Sequence, residues 1–308
     1  MNSGTTVPAN DVTTPKAQTI YDSVVENAGC SGASDSLACL READYQTFLN
    51  AVTAVPGIFS YRSLDLSYLP RPDPNDDFFP VSPELAIQSG NFAEVPIIVG
   101  DQEDEGTLFS LVQSNTTTND DLVEYLASYF PENPDALAAA TGLADLYPDQ
   151  PLAGQPAGSP FGTGSTNNIY AQYKRLAAIL GDVTFTLTRR TYLETVASQV
   201  KCWSYLSSYL FGTPVLGTFH GSDVLASYGT LGDLNVPTIS IQTYYINFVN
   251  SLDPNGGGLE VPLVQWPQWT DGTRRLLNFR ALRNTIVNDD FRQAASDYLG
   301  ANGAQFRV

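Results

Sequence analysis

The chain has 308 residues, 43% of them apolar and 11% aromatic, which is enough to build a sizeable core and excludes a disordered tail. Fifteen Lys and Arg against 33 Asp and Glu leave a net charge of −18 and a pI near 4.2, a field that repels phosphate backbones and anionic lipid surfaces and excludes nucleic acid as a partner. No apolar run reaches the roughly 18 residues of a membrane span, and the opening "MNSGTTVPANDVTT" has neither the basic start nor the apolar core of a signal peptide.

In chain order, Cys30 and Cys39 come first, bracketing "CSGASDSLAC", a small polar loop that a disulfide would close; three reduced, inert thiols are the alternative. The segment 68–76 ("YLPRPDPND") reads as a surface connection. "VPIIVGD" at 95–101 reads as a buried strand and runs into "DQEDEGTLF". Asn115 in "SNTTT" is an N-x-Thr sequon, which suits an exposed loop of a secreted protein. "TNDDLVEYLASYF" reads as a helix with Thr118 as N-cap and Asp121 at the capping-box position. In "NPDALAAATGL", Asn133 reads as the cap, Pro134 as the first turn and Gly142 as the stop.

Residues 148–168, rich in Pro and Gly, read as a second surface connection. Tyr170 to Leu180 and Phe185 to Val196 read as two helices separated by "GD". "KCWSYLSSYLF" at 201–211 reads as a strand holding Cys202 as a buried free thiol, and "PTISI" at 237–241 as another. "NGGGLE" at 255–260 reads as a turn and not a phosphate cradle, and "NDDFRQAASDYLG" as a last helix stopped by Gly300. Strands alternating with helices predict an α/β fold, and hydrophobic patterning on both sides of each connection predicts one domain over residues 1–308.

Functional residues of an open α/β sheet collect just past the carboxyl ends of strands. Asp101, Glu103, Asp104 and Glu105 stand at such an end, followed by Gly106. Asp101, Glu103, Glu105, Gly106 and Leu108 fall on EF-hand positions 1, 3, 5, 6 and 8, yet position 12, a bidentate Glu in calcium loops, is Val112. A solvated acidic loop and a two-carboxylate glycosidase site are further readings. The remaining one is orientation of a histidine. His220 in "PVLGTFHGSDV" is the only histidine, and the acids precede it, the acid-then-histidine order of α/β-hydrolases. A lone histidine is also a common satisfied structural residue. No H-E-x-x-H, C-x-x-C or histidine cluster exists, so no metal and no cofactor is expected.

Seven stretches together, "CSGASDSLACLR", "LSYLPRPD", "VPIIVGDQEDEGTLF", "ILGDVTFTLTRR", "PVLGTFHGSD", "SLDPN" and "LVQWPQW", closely resemble in order the fungal branch of the type-B carboxylesterase/lipase family, large α/β-hydrolases that include secreted yeast triacylglycerol lipases. The resemblance implies a mostly parallel sheet flanked by helices and a Ser-Glu-His triad that hydrolyses carboxylic esters. It implies Glu105 as the triad acid, His220 as the general base and Asp223 as a structural carboxylate of the histidine loop. Leu108 and Phe109 match positions bordering the acyl-chain pocket. A Cys30–Cys39 bridge, glycosylation at Asn115, an ester or lipid substrate and an extracellular location follow from the same resemblance.

One element of the family pattern has no counterpart. The nucleophile belongs in G-x-S-x-G, a strained strand-to-helix turn upstream of the acid, but the glycines four apart at 154/158, 158/162 and 217/221 enclose Pro156, Pro160 and Phe219. No HGGG-like oxyanion stretch is present either. "MNSG" resembles the strand that follows the elbow helix, which makes Ser3 a strand residue. The chain therefore reads as the C-terminal part of an α/β-hydrolase domain, partnered by an N-terminal segment of the same protein. A non-catalytic remnant, or an apolar-ligand-binding module on that scaffold, is the alternative.

Overall fold

The computed structural model describes residues 1–152, 164–230, 232, 235–257 and 263–308. Its sheet contains β1 (Ile97–Gln102), β2 (Cys202–Ser207), β3 (Arg275–Phe279) and β4 (Thr285–Asn288) in that spatial order. β1, β2 and β3 are parallel, with Ile97 opposite Cys202 and Tyr205 opposite Leu277, and β4 is antiparallel to β3. Residues 1–3 lie along the free edge of β1: the Ser3 N–H donates to the Gly100 carbonyl at 2.8 Å and the Gly100 N–H to the Met1 carbonyl at 3.2 Å.

Helices α1 (Pro15–Asn27), α2 (Ser36–Glu42) and α3 (Tyr45–Thr53) form an apolar cluster of their own around Val24, Leu40 and Ala51, closed by the Cys30–Cys39 disulfide. α4 (Pro83–Gln88) precedes β1. α5 (Asn119–Ala127), α6 (Ala136–Ala144), α7 (Tyr173–Gly181) and α8 (Leu187–Val196) lie between β1 and β2, α9 (Ser222–Ser227) and α10 (Val236–Ser251) between β2 and β3, and α11 (Gln293–Asn302) near the end.

Period-two alternation sends β1 side chains to two different cores. Ile98 joins Trp203, Tyr205, Tyr244 and Trp266 on the α10 side, whereas Val99 joins Leu193 and Val196 on the α8 side. Gly100 is required by packing, since a Cβ there would lie 2.2 Å from the Tyr205 ring. On the α8 face, buried Arg189 donates to Asp101 at 2.7 Å and forks onto Asp289 at 2.8 Å through both terminal nitrogens. Arg190 and the Trp269 indole also donate to Asp289. This network ties α8 to strand β1 and to the segment after β4, with every charge paired as burial demands.

Several elements depart from expectation. "PTISI" lies inside α10: Asn235 accepts from the Thr238 N–H at 2.9 Å and Pro237 sits in the first turn, so a capped start overrides the β-branched run. The strand expected over 201–211 pairs only from Cys202 to Ser207, and Cys202 is a buried free thiol. Asn133 and Gly142 do not bound α6; Asp135 is its N-cap residue, and Gly142 lies within it, where a Cβ would fall 2.4 Å from the Tyr298 hydroxyl. Thr118 and Asp121 do form the capping box of α5. "GD" interrupts nothing, for α7 runs through a π-turn, Asp182–Thr186, into α8. Gly300 falls within α11. β3 and β4 lie in "RLLNF" and "TIVN", which sequence reading left unassigned. The glycine pairs 154/158 and 158/162, and residues 258–260 of "NGGGLE", lie outside the described residues.

Candidate active site

At and just past the carboxyl end of β1 the acidic residues diverge, Asp101 still within the strand and the others beyond it. Asp101, Asp104 and Glu105 are at most 2% exposed, so the solvated-loop reading fails for all three. Asp101 turns to Arg189. Asp104 holds the histidine loop: its N–H donates to the Thr218 carbonyl at 3.0 Å, its carboxylate accepts the Thr218 N–H at 2.9 Å, and it bridges in parallel to Phe219. Glu103 is half-buried, and burial pushes its carboxyl up to about 7 against the opposing pull of Ser208, Arg280 and Arg292. Among the described residues, no three acidic, histidine or cysteine side chains converge as a metal site would require.

Glu105 accepts from the Gln102 N–H through Oε1 at 2.7 Å and meets His220 Nδ1 through Oε2 at 2.7 Å. Its position is set by Gly106, whose backbone lies so close to α7 that a Cβ would fall 1.9 Å from the Ala177 carbonyl oxygen. His220 stands in the long connection after β2, between Gly217 and Gly221, both in the left-handed region with φ of 59° and 82°. Gly221 provides the turn into α9 that no β-branched residue would adopt without strain.

The imidazole is 31% exposed and lies between aromatic rings, Phe109 at 5.1 Å and Phe185 at 4.9 Å between centroids. Phe59 stacks on Phe109 at 6.3 Å and continues the apolar wall outward. Burial alone would lower the His220 pKa, but the hydrogen bond and charge of Glu105, with the charges of Asp223 and Asp101, leave it above the ordinary value. Asp223, buried in the first turn of α9, has its carboxyl raised by burial and by the nearby charge of Glu105. Leu108 is half-buried at the start of a short 3-10 turn, and Phe109 within that turn is held by Ser63, whose hydroxyl donates to its carbonyl at 2.6 Å.

The structure therefore brings Glu105, His220 and Phe109 into one cluster with Asp223 beside it. Asn115 lies apart, exposed, with its amide donating to the Tyr61 hydroxyl at 3.0 Å. Sequence reading missed Phe59, Phe185 and the clamp from Asp104 to Thr218; only the acidity of the loop pointed at Asp104, and nothing in the helical pattern marked Phe185.

A mostly parallel sheet with helices on both faces and polar side chains gathered at its strand ends is the fold of an α/β-hydrolase, and superposition agrees. Aspergillus niger EstA matches with a TM-score of 0.76 at 20% identity, over 100% of this chain and 58% of that one. The chain belongs to the carboxylesterase family, whose model matches residues 1–295. A secreted lipase of Botryotinia fuckeliana is 50% identical over 311 residues, spanning 100% of this chain and 52% of the relative. A secreted triacylglycerol lipase of Gibberella zeae is 48% identical over 313 residues, spanning 100% and 51%. The chain thus spans about half the length of the relatives it matches.

Proposed function

We propose that this chain supplies the acid and the base of a serine hydrolase acting on carboxylic esters, with Glu105 as the acid, His220 as the general base and the nucleophilic serine carried on a segment outside these 308 residues. The observation that carries the reading is the 2.7 Å contact between buried Glu105 and the Nδ1 of the partly exposed imidazole. A carboxylate at Nδ1 selects the tautomer with its proton there and leaves the Nε2 lone pair free for a hydroxyl proton. As the serine oxygen bonds to the ester carbonyl carbon, Nε2 takes its proton. The imidazolium, steadied by Glu105, returns that proton to the departing alkoxide, and the alcohol leaves. Water then repeats the sequence on the acyl-enzyme, and the acid departs with the serine restored.

The apolar rings of Phe109 and Phe185 beside the imidazole, extended by Phe59 stacked on Phe109, suit an acyl chain, as does half-buried Leu108 next to Phe109 in the chain, and so favour a lipid or other long-chain ester. Secreted relatives and a closed disulfide favour an extracellular site of action, with Asn115 as a glycan acceptor. The test is to co-express the chain with the N-terminal portion of the Botryotinia lipase, treat it with a fluorophosphonate and read intact masses. We expect a stoichiometric adduct on the added segment that disappears in His220→Ala. An adduct unaffected by that substitution overturns the role of His220. A folded assembly that binds an apolar ester and neither labels nor turns over identifies the chain as a ligand-binding remnant.

A further inference from the structure

We propose that Asp182 is a positioning residue for His220, acting through the π-turn that it opens. This rests on reading His220 as the general base, although the arrangement itself is independent of any reaction. Between α7 and α8 the helix carries one residue more per turn than its neighbours: the Leu187 N–H donates to the Asp182 carbonyl five positions back. π-turns pack less favourably than α-helix and persist where tertiary contacts hold them. Asp182 supplies those contacts. Its carboxylate is 1% exposed and accepts from the Tyr147 hydroxyl, from Arg292 Nε and from Arg292 Nη2, the last at 2.5 Å.

The two ends of this turn touch the two halves of the site. On one side, Gly181 abuts the acid loop: a Cβ there would lie 3.0 Å from the Gly106 nitrogen and 3.6 Å from the Glu105 Cβ. Phe185, inside the turn, lies 4.9 Å from the imidazole at a 37° interplanar angle and 5.8 Å from Phe109. Each residue of a helix advances about 100° around its axis. Loss of the Asp182 anchor lets the turn relax to the α register, which swings Phe185 off the imidazole by roughly that angle. The largest carboxylate charges acting on His220 are those of Glu105, Asp223 and Asp101, none of which belongs to the turn, and comparison with F185L, which removes no charge, separates a displaced Phe185 from a lost charge.

Because His220 is the only histidine, a chain grown with ¹³C-histidine gives one imidazole Cε1–H signal. The label enters this chain alone, so an unlabelled N-terminal segment, added where the fold requires it, contributes no signal. Asp182→Asn and Phe185→Leu are compared singly and together, each with a urea melt to confirm cooperative folding. We expect D182N to move the His220 signal as F185L does, and to add nothing further in the F185L background. Tyr147→Phe, which removes one hydrogen bond, should move it the same way by less, and it carries the test if D182N does not fold. A folded D182N with a lower urea midpoint and a native His220 signal overturns the proposal, as do additive shifts. The signal reads ring position without turnover, so its outcome is separate from that of fluorophosphonate labelling.

Discussion

Gly106→Ala puts the geometry of the site under the most direct strain. The added Cβ would sit 1.9 Å from the Ala177 carbonyl oxygen and 2.6 Å from the Gly181 nitrogen. Both are backbone atoms of a buried helix, so the loop gives way and not α7. Ordinary contact starts near 3.4 Å, so the loop must retreat by about 1.5 Å. Glu105 is the adjacent residue, and the same retreat takes its 2.7 Å contact with His220 to about 4 Å, beyond hydrogen bonding. Forced packing costs about 1–3 kcal/mol and a lost charge-assisted hydrogen bond about 1.5–3 kcal/mol, so we expect G106A to be roughly 3–5 kcal/mol less stable. On the proposed role of Glu105, misplacing its carboxylate by about 1 Å should cost about 10²-fold in the rate of the chain joined to its N-terminal segment. Urea unfolding together with titration of the labelled His220 signal tests the argument. A native urea midpoint and a native His220 titration in G106A would refute it.

Glu105→Gln keeps the acceptor for the Gln102 N–H and removes the charge, so the His220 pKa should fall. A folded pKa above the unfolded value near 6.5 means the pair's stabilisation is fully present below pH 6.5 and is lost as pH rises through the folded value. The stability gap between E105Q and the parent in urea should therefore be widest at pH 5.5 and shrink by pH 9. On the proposed role of His220 as base, turnover by the chain joined to its N-terminal segment requires neutral imidazole, so the parent rate should rise with pH through the His220 pKa; in E105Q the inflection should move to lower pH and the plateau drop by about 10⁴. Arg189→Met leaves Asp101 without its guanidinium and should cost about 3–5 kcal/mol in urea unfolding; a loss under 1 kcal/mol would mean the network is not load-sharing. Replacing both Cys30 and Cys39 with Ser reopens a loop of sequence separation 9 and should cost about 2.5–3 kcal/mol by calorimetry, with α1 to α3 melting first.

Glu105 and His220 were legible because their signals are local and rare. A single histidine, an acid run at the end of an apolar strand and a glycine after it need no tertiary information to be noticed. The capping box at Thr118 was legible for the same reason: a Thr with an acid three residues on satisfies two backbone donors within one turn. "PTISI" was misread because three β-branched residues in a stretch of five carry less weight than the Asn235 cap and Pro237 in the first turn of a 16-residue helix.

By itself, then, the order of residues determined which groups were available for chemistry: carboxylates before one imidazole, glycines where backbones approach closely, a nine-residue cysteine spacing. Only the tertiary structure decided which of four neighbouring acids meets His220. Asp101 goes to Arg189, Asp104 to the Thr218 N–H and Glu105 to the imidazole, because alternation along β1 ends at Gln102 and the loop beyond is folded against α7 by Gly106. The placement of Phe185 is likewise tertiary. It depends on a π-turn held by Tyr147 and Arg292, residues 35 and 110 positions from Asp182 in the chain, and contacts at that separation leave no periodic trace in sequence.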